Sequence, residues 1–300
     1  MKINVDAGHG TNTIGKRTPP MPLDIDINKD GVIDVKKGEQ YREHYATVGV
    51  ANFLVKELKR CGFDTMQTGF NDADASDDTD TSLANRQKAI AAGKCEYSIS
   101  IHFNAFGDGS SFNTGEGVGI YIHDKNYGQS DKLAPVVLKH LAGGTTQKNR
   151  GVTKSSLAMC NCTAMNTKAA ILCELAFMTN LTEATTMMAN EAYWLECAQE
   201  ICQGVCEYTK VKYVPEIYIP ATTITPQSGA KDINWAKEKL NAVLPEIKGI
   251  TPLAGDGVYD PIMRIAVLHY WLQLGWANLK DDGTAIGKTT INALNAGRKK

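Results

Sequence analysis

Two histidines stand at the ends of strand-like runs, where an imidazole can be offered to a shared site. The first lies in Asp6-Ala7-Gly8-His9-Gly10, whose glycines let the backbone turn sharply and leave the ring unshielded. The second lies in Ser98-Ile99-Ser100-Ile101-His102-Phe103-Asn104. Two imidazoles and one carboxylate make a three-ligand zinc site with an open position for water. Glu39 and Glu43 both precede a long helical pattern and both qualify as the carboxylate. Glu43 is nearer the pattern, which starts at Tyr45, so its direction is better fixed. A further acid, Glu174, interrupts the apolar run Leu172-Cys173-Glu174-Leu175-Ala176. An acid there is costly unless it has a partner or a task. Taking a proton from a metal-polarised water is such a task; the bland alternative is a buried ion pair, with Arg86 as its partner.

The elements that must carry these residues alternate between strand and helix. Strand-like runs occupy 2–7, 63–68, 97–104, 117–123 and 169–176, several of them continuously apolar as in a sheet covered on both faces. Helical patterns occupy 45–61, 82–92, 130–141, 182–189 and 192–208. This order reads as an open, twisted α/β sheet, mostly parallel or mixed, with helices on both faces. Ligands of such sheets gather outside the carboxyl ends of the strands, where both histidines fall.

Texture changes at 213–230, which contains three prolines, several threonines and no helical period, and reads as a linker between a domain at 1–212 and a second at 231–300. The second has no convincing strand and three helical faces, a small all-α module. Asp256-Gly257 and Asp282-Gly283 each precede a helix and form a loose internal repeat. Of its aromatics, Trp235, Tyr259, Tyr270, Trp271 and Trp276, part are core by spacing and some are free to stack on sugars.

The formal net charge of -1 gives no reason to expect nucleic acid or a membrane as partner. Residues 230–300 are mildly basic, a surplus supplied by Arg298, Lys299 and Lys300. No stretch approaches the roughly 20 apolar residues of a membrane span, and the first residues lack the layout of a signal peptide. The eight cysteines, among them Cys197, Cys202 and Cys206 at near-helical spacing, read as reduced, buried thiols of a chain folded inside a cell. Asp26, Asn28, Asp30 and Asp34 match the first nine positions of a calcium loop, with Gly31 at the turn, but Lys37 stands where a bidentate Glu is expected. His44, His123, His140 and His269 have no such context and default to surface or packing roles.

DAGHG, then a Glu before a long helix, then SIHFNA, then CELAFMTN resembles, in order and spacing, the zinc-dependent N-acetylmuramoyl-L-alanine amidases of the type-3 family. The resemblance covers most of 1–210. It implies zinc ligands His9, Glu43 and His102 and a catalytic Glu174; counting back from Gly62, which matches the family's helix-closing glycine, also selects Glu43. Leu83-Ala84-Asn85-Arg86 resembles the family's Arg segment, with Arg86 as support or substrate contact, and Asn149-Arg150-Gly151-Val152 resembles its RGV segment. Asn104 is expected to orient the loop after the second histidine. Two departures stand out: Ala169-Ala170 replaces the frequent Pro-Ala, and 11–40 is longer and more acidic than the usual lead-in. LKDDGTAIGKTTINAL, at 279–294, resembles helical peptidoglycan-binding domains. The implied activity is hydrolysis of the bond between N-acetylmuramic acid and L-alanine of bacterial peptidoglycan. A phage endolysin, made in a host cytoplasm and released to the wall, fits the missing export signal. The alternatives are a zinc peptidase acting on the stem peptide and a non-catalytic wall-binding protein.

Overall fold

A computed structural model describes residues 1–276 and 282–299 of the chain. It divides into two compact units, Met1–Pro215 and Glu216–Lys300.

The first unit is built on a six-stranded sheet. Its strands are β1 (Lys2–Ala7), β2 (Asp64–Thr68), β3 (Tyr97–Asn104), β4 (Val118–Ile122), β5 (Asn149–Lys154) and β6 (Ala169–Phe177). Their order is β2-β1-β3-β6-β4-β5. All neighbours run parallel except β4 and β6, which are antiparallel, so the sheet is mixed. The five expected strands are present, and β5 is added at the segment carrying Arg150-Gly151-Val152. Its residues are mostly exposed or half-buried, which is why it has no apolar signature.

Helices cover both faces. They are α1 (Glu43–Arg60), α2 (Leu83–Ala92), α3 (Ser130–Gly143), the short α4 (Cys162–Met165) and α5 (Leu181–Glu183), and α6 (Glu191–Thr209). A π-helical turn, Ala184–Met188, follows α5. On one face α1, α3 and α6 bury Ile3, Val5, Ile99, Ile101, Leu54, Leu58, Val137 and Ile201 in the main core. On the other, α2 and α4 close over a smaller set that includes Ile90, Met165 and Ala170.

Side chains on a strand alternate between faces, and β1 and β3 use this in an unusual way. Their odd-numbered residues are apolar and enter the main core. Their even-numbered residues Asn4, Asp6, Ser98 and Ser100 are polar, yet all are fully buried under the second face. They survive there because they satisfy one another: Asn4 donates to Thr68 and Ser98 at 3.1 Å each, and Thr68 donates to Asp6 at 2.8 Å. A polar residue on an alternating strand normally faces water; here it is interior, and the ladder leads toward the site.

In the second unit, α7 (Ala230–Val243), α8 (Pro261–Leu274) and α9 (Lys288–Asn295) surround a separate core. Trp235, Tyr259 and Tyr270 belong to that core, whereas Trp271 and Trp276 are half-buried and pack against it. Both Asp-Gly turns share one geometry: Asp256 accepts from Val258 N–H at 3.0 Å and Asp282 from Thr284 N–H at 2.9 Å, with Gly257 and Gly283 at φ +72° and +69°. Residues 279–281 of the segment resembling a wall-binding domain lie outside the described residues. Of the stretch read as a linker, Val214 is held by the first unit through Arg60, which donates to its carbonyl at 2.8 Å. Ile224 pairs with Ile286 in the second unit.

Helix α6 approaches α3 closely at Gly204, where an added Cβ would lie 2.6 Å from the Val137 Cα. Gly204→Leu is therefore expected to lower stability by about 1–3 kcal/mol through overpacking. Urea unfolding checks this; an unchanged midpoint would mean that the helices do not pack there.

Candidate active site

Strand ends and one helix start build the site. β1 runs into Gly8 and His9, and Gly8 leaves room that a side chain would take from the His102 ring. His9 itself sits at φ +66°, the left-handed region that a β-carbon disfavours, so something must hold it. Arg86 does. This residue of α2 is 2% exposed and donates to the carbonyls of Ala7 and His9 on either side of the turn. It also donates to the Thr81 carbonyl and pairs with Asp6 and Asp80 at 3.0 Å each. Arg86 is thus a buried clamp on the turn; its acidic partners are Asp6 and Asp80, and Glu174 is not among them. His44, expected only to pack, is a second clamp: buried, it bridges the Gly8 carbonyl at 2.9 Å and Asp78 at 3.1 Å.

Glu43 is the first residue of α1 and points at the ends of the interior strands β1 and β3. Its Oε1 lies 3.1 Å from His102 Nδ1 and accepts from the Phe103 N–H at 3.0 Å. Its Oε2 lies 3.2 Å from His9 Nε2 but without hydrogen-bond geometry, which leaves that buried oxygen without a partner. The two rings meet edge to face with centroids 4.9 Å apart. The ligand-type atoms of His9, Glu43 and His102 all fall within 4.8 Å of one another. Glu39, the other acid considered, is exposed and accepts from the Lys36 N–H.

Burial works against ionising Glu43, but the hydrogen bond to His102 and the nearby charge of His9 and His102 outweigh it and hold the carboxyl far below its ordinary range. Burial likewise lowers His9. At His102 burial acts downward too, but the bond to Glu43 prevails and the ring is raised.

The side of His102 away from Glu43 is equally ordered. Its Nε2 lies 3.1 Å from Ser100 Oγ, two residues back on the same face of β3. Ser100 in turn donates to Asp6 Oδ2 at 2.6 Å, across a directly paired position of β1 and β3. Because the Ser100 proton is committed to Asp6, its oxygen accepts from His102 Nε2–H. In the neutral ring, Nδ1 then presents a lone pair toward Glu43 Oε1. Two acceptors at 3.1 Å need a cation or an extra proton between them. Together with the unpartnered Glu43 Oε2, this is what a divalent ion would fit, and a His-Glu-His set suits zinc.

Glu174 pairs in register with His102 on the adjacent parallel strand, so the two side chains share a face. Its Oε2 is buried and has no hydrogen-bond partner. Burial pushes this carboxyl up to about 7, with His102 pulling it down and Glu43 pushing it up as smaller effects. Asn104 closes β3: its side chain accepts from the Ala105 N–H at 2.8 Å and its carbonyl from the Met178 N–H at 2.7 Å. Asp6, His9, His102 and Arg86 line a cavity of about 220 Å³ with Thr81 and Met159.

At the acidic loop, Asp26 accepts from the Asp30 and Gly31 N–H groups, Asp30 from Val32, and Asp34 from Ile27. Asp26, Asp30 and Asp34 are not among the groups of metal-ligand side chains that converge within the described residues. The calcium reading at Asp26, Asn28, Asp30 and Asp34 gains no support.

A parallel-rich α/β sheet whose strands, with the first residue of α1, bring two imidazoles and two carboxylates together defines a centre of the hydrolase type. Residues 3–207 match the model of the N-acetylmuramoyl-L-alanine amidase family. The chain belongs to that family, whose members hydrolyse the amide between N-acetylmuramic acid and L-alanine of peptidoglycan and are typically zinc-dependent. Its fold is similar to an N-acetylmuramoyl-L-alanine amidase from Clostridium difficile 630, with 24% identity and a TM-score of 0.53, over 70% of this chain and 97% of that one. It is also similar to the catalytic domain of CwlV, an amidase from Bacillus (Paenibacillus) polymyxa var. colistinus. There the identity is 23% and the TM-score 0.53, over 70% of this chain and 99% of that one. A third is AmiC2 of Nostoc punctiforme, at 21% identity and a TM-score of 0.50, over 70% and 97% of the two chains. Among curated proteins, no sequence matches.

Ser100 was not singled out by sequence, since a serine in a strand carries no signal of its own. If His102 is a zinc ligand oriented by this hydroxyl, Ser100→Ala will weaken zinc binding by about 10–100-fold, while Ser100→Thr, which keeps the hydroxyl, stays near the parent. Competition with a chromogenic chelator measures both. Parental affinity in Ser100→Ala would remove the hydroxyl from this role.

Proposed function

We propose that His9, Glu43 and His102 hold a zinc ion with which this chain cleaves the lactyl amide of peptidoglycan, and that Glu174 moves the proton. The observation that carries the assignment is the buried Glu43 carboxylate between two imidazoles, with one oxygen lacking any hydrogen-bond partner. Bound there, zinc would supply a Lewis acid that polarises the amide carbonyl and acidifies water.

The protein's own part follows from the geometry. Glu43 and the two rings are pre-set, so little reorganisation is needed. Glu174, beside His102 with an uncommitted oxygen, takes a proton from the attacking water. It then delivers that proton to the L-alanine nitrogen as the C–N bond breaks. A carboxyl raised toward neutrality suits both halves of the exchange. Arg86 takes no part in this transfer because its donors are committed to Asp6, Asp80 and main-chain carbonyls; it keeps His9 in place. The product that distinguishes this reaction from stem-peptide cleavage is a free amino terminus on L-alanine.

The second unit fits a wall-binding role. It has its own core, two matching Asp-Gly turns, and half-buried Trp271 and Trp276 at its rim. Docking on the polymer would raise the local concentration of the catalytic unit on an insoluble substrate.

Glu174→Gln is expected to lower the rate of amide hydrolysis about 10²–10⁴-fold while zinc content is unchanged; near-parental turnover would reject the assignment. The base must be ionised, so kcat/KM should fall as pH drops below the Glu174 value. That value is about 7 before metal is bound and lower beside a dication, because positive charge favours the carboxylate. The acid limb should vanish in Glu174→Gln, and a limb that survives there belongs to another group. A chain ending at Pro215 should keep its activity on soluble muropeptides and lose much of it on intact walls; equal loss on both substrates would argue against a separate binding unit.

A further inference from the structure

All eight cysteines are free and buried, but three of them converge. Cys61 closes α1, and Cys202 and Cys206 lie one turn apart on α6. Their sulfur atoms all fall within 4.8 Å of one another, and the sulfurs of Cys61 and Cys202 are 3.7 Å apart. From these side chains we propose a second metal site, a thiolate centre for a thiophilic divalent cation such as zinc, separate from the catalytic centre.

The spacing is the first support. Two thiolates on one tetrahedral zinc, each at about 2.3 Å, are separated by about 3.8 Å. Buried cysteines that merely fill a core have no reason to point three sulfurs at one spot, since ordinary apolar contact is satisfied at larger and more varied distances. The surroundings are the second. The Val214 N–H points at Cys61 Sγ at 3.3 Å, a main-chain donor of the kind that stabilises negative sulfur. Arg60 donates to the Val214 carbonyl, so a guanidinium stands beside the same loop.

Location is the third. α1 has 18 residues, with Glu43 at its start and Cys61 just past its end. At 1.5 Å per residue the two sites are separated by about 27 Å. A metal here would bind the end of α1 to α6 and to 211–214, where the chain leaves the first unit. The soft sulfur set selects zinc-like ions over calcium or magnesium. Binding releases three thiol protons to solvent and leaves three thiolates on a dication with one net negative charge. The Val214 amide is placed to offset part of that charge, whereas the Arg60 guanidinium is already paired with Glu57. The thiolate site shares no ligand with the catalytic centre.

The test uses the full chain, reduced and stripped of metal, and titrates it with cobalt(II). The expected result is a sulfur-to-metal charge-transfer band in the near ultraviolet that persists in His102→Ala and is lost in both Cys61→Ser and Cys206→Ser. Zinc content should fall correspondingly by one ion per chain in the cysteine variants. Absence of the band in the unmutated chain overturns the proposal without relying on any variant's folding. A band that survives both cysteine substitutions overturns it too, since other thiols would then be the ligands. Loss of the His-Glu-His metal alone would leave the band intact, so failure of the two sites is separable.

Discussion

A carboxylate with 1% exposure, set between two imidazoles and missing a hydrogen-bond partner on one oxygen, is expensive to keep. Removing an ion of that size from water costs several kcal/mol even after relaxation, and incomplete pairing leaves much of that cost standing. Glu43 is in this position because α1 begins with it and because His9 and His102 arrive from two strand ends. A cation shared by the three groups resolves the imbalance. Without one, the protein must bridge Glu43 and His102 with a proton.

Much of the surrounding structure serves that arrangement. Asp6 is the common element: it receives Arg86 and Thr68 on one oxygen and Ser100 on the other. Through Arg86 it holds the left-handed turn at His9, and through Ser100 it orients His102. One buried aspartate thus sets the directions of both imidazoles. This explains a polar ladder inside the sheet where packing alone would favour valine and isoleucine.

Sequence patterns disclosed the two histidine turns, the apolar run around Glu174 and the order of strands and helices, because each depends on local periodicity or on a glycine in a short motif. Glu43 could be preferred over Glu39 by its distance from the helix; the structure adds that it is buried and Glu39 exposed. Other features were invisible for physical reasons. Ser100 and Asp6 act through contacts between strands 94 residues apart, which no local pattern reports. His44 clamps the first turn through Asp78, also distant in sequence. β5 is exposed and so lacks an apolar signature. The acidic loop at 26–34 shows the converse: oxygen ligands at the expected spacing, yet carboxylates occupied by the loop's own amide groups and not converging.

The most direct test of the account is the anomalous scattering of zinc in crystals of the full chain. The expected result is a peak bonded to His9 Nε2, a Glu43 carboxylate oxygen and His102 Nδ1, with Glu174 nearby and not bonded to it. Zinc-loaded crystals with no peak among these three residues, or with Glu174 replacing Glu43 as ligand, would refute it.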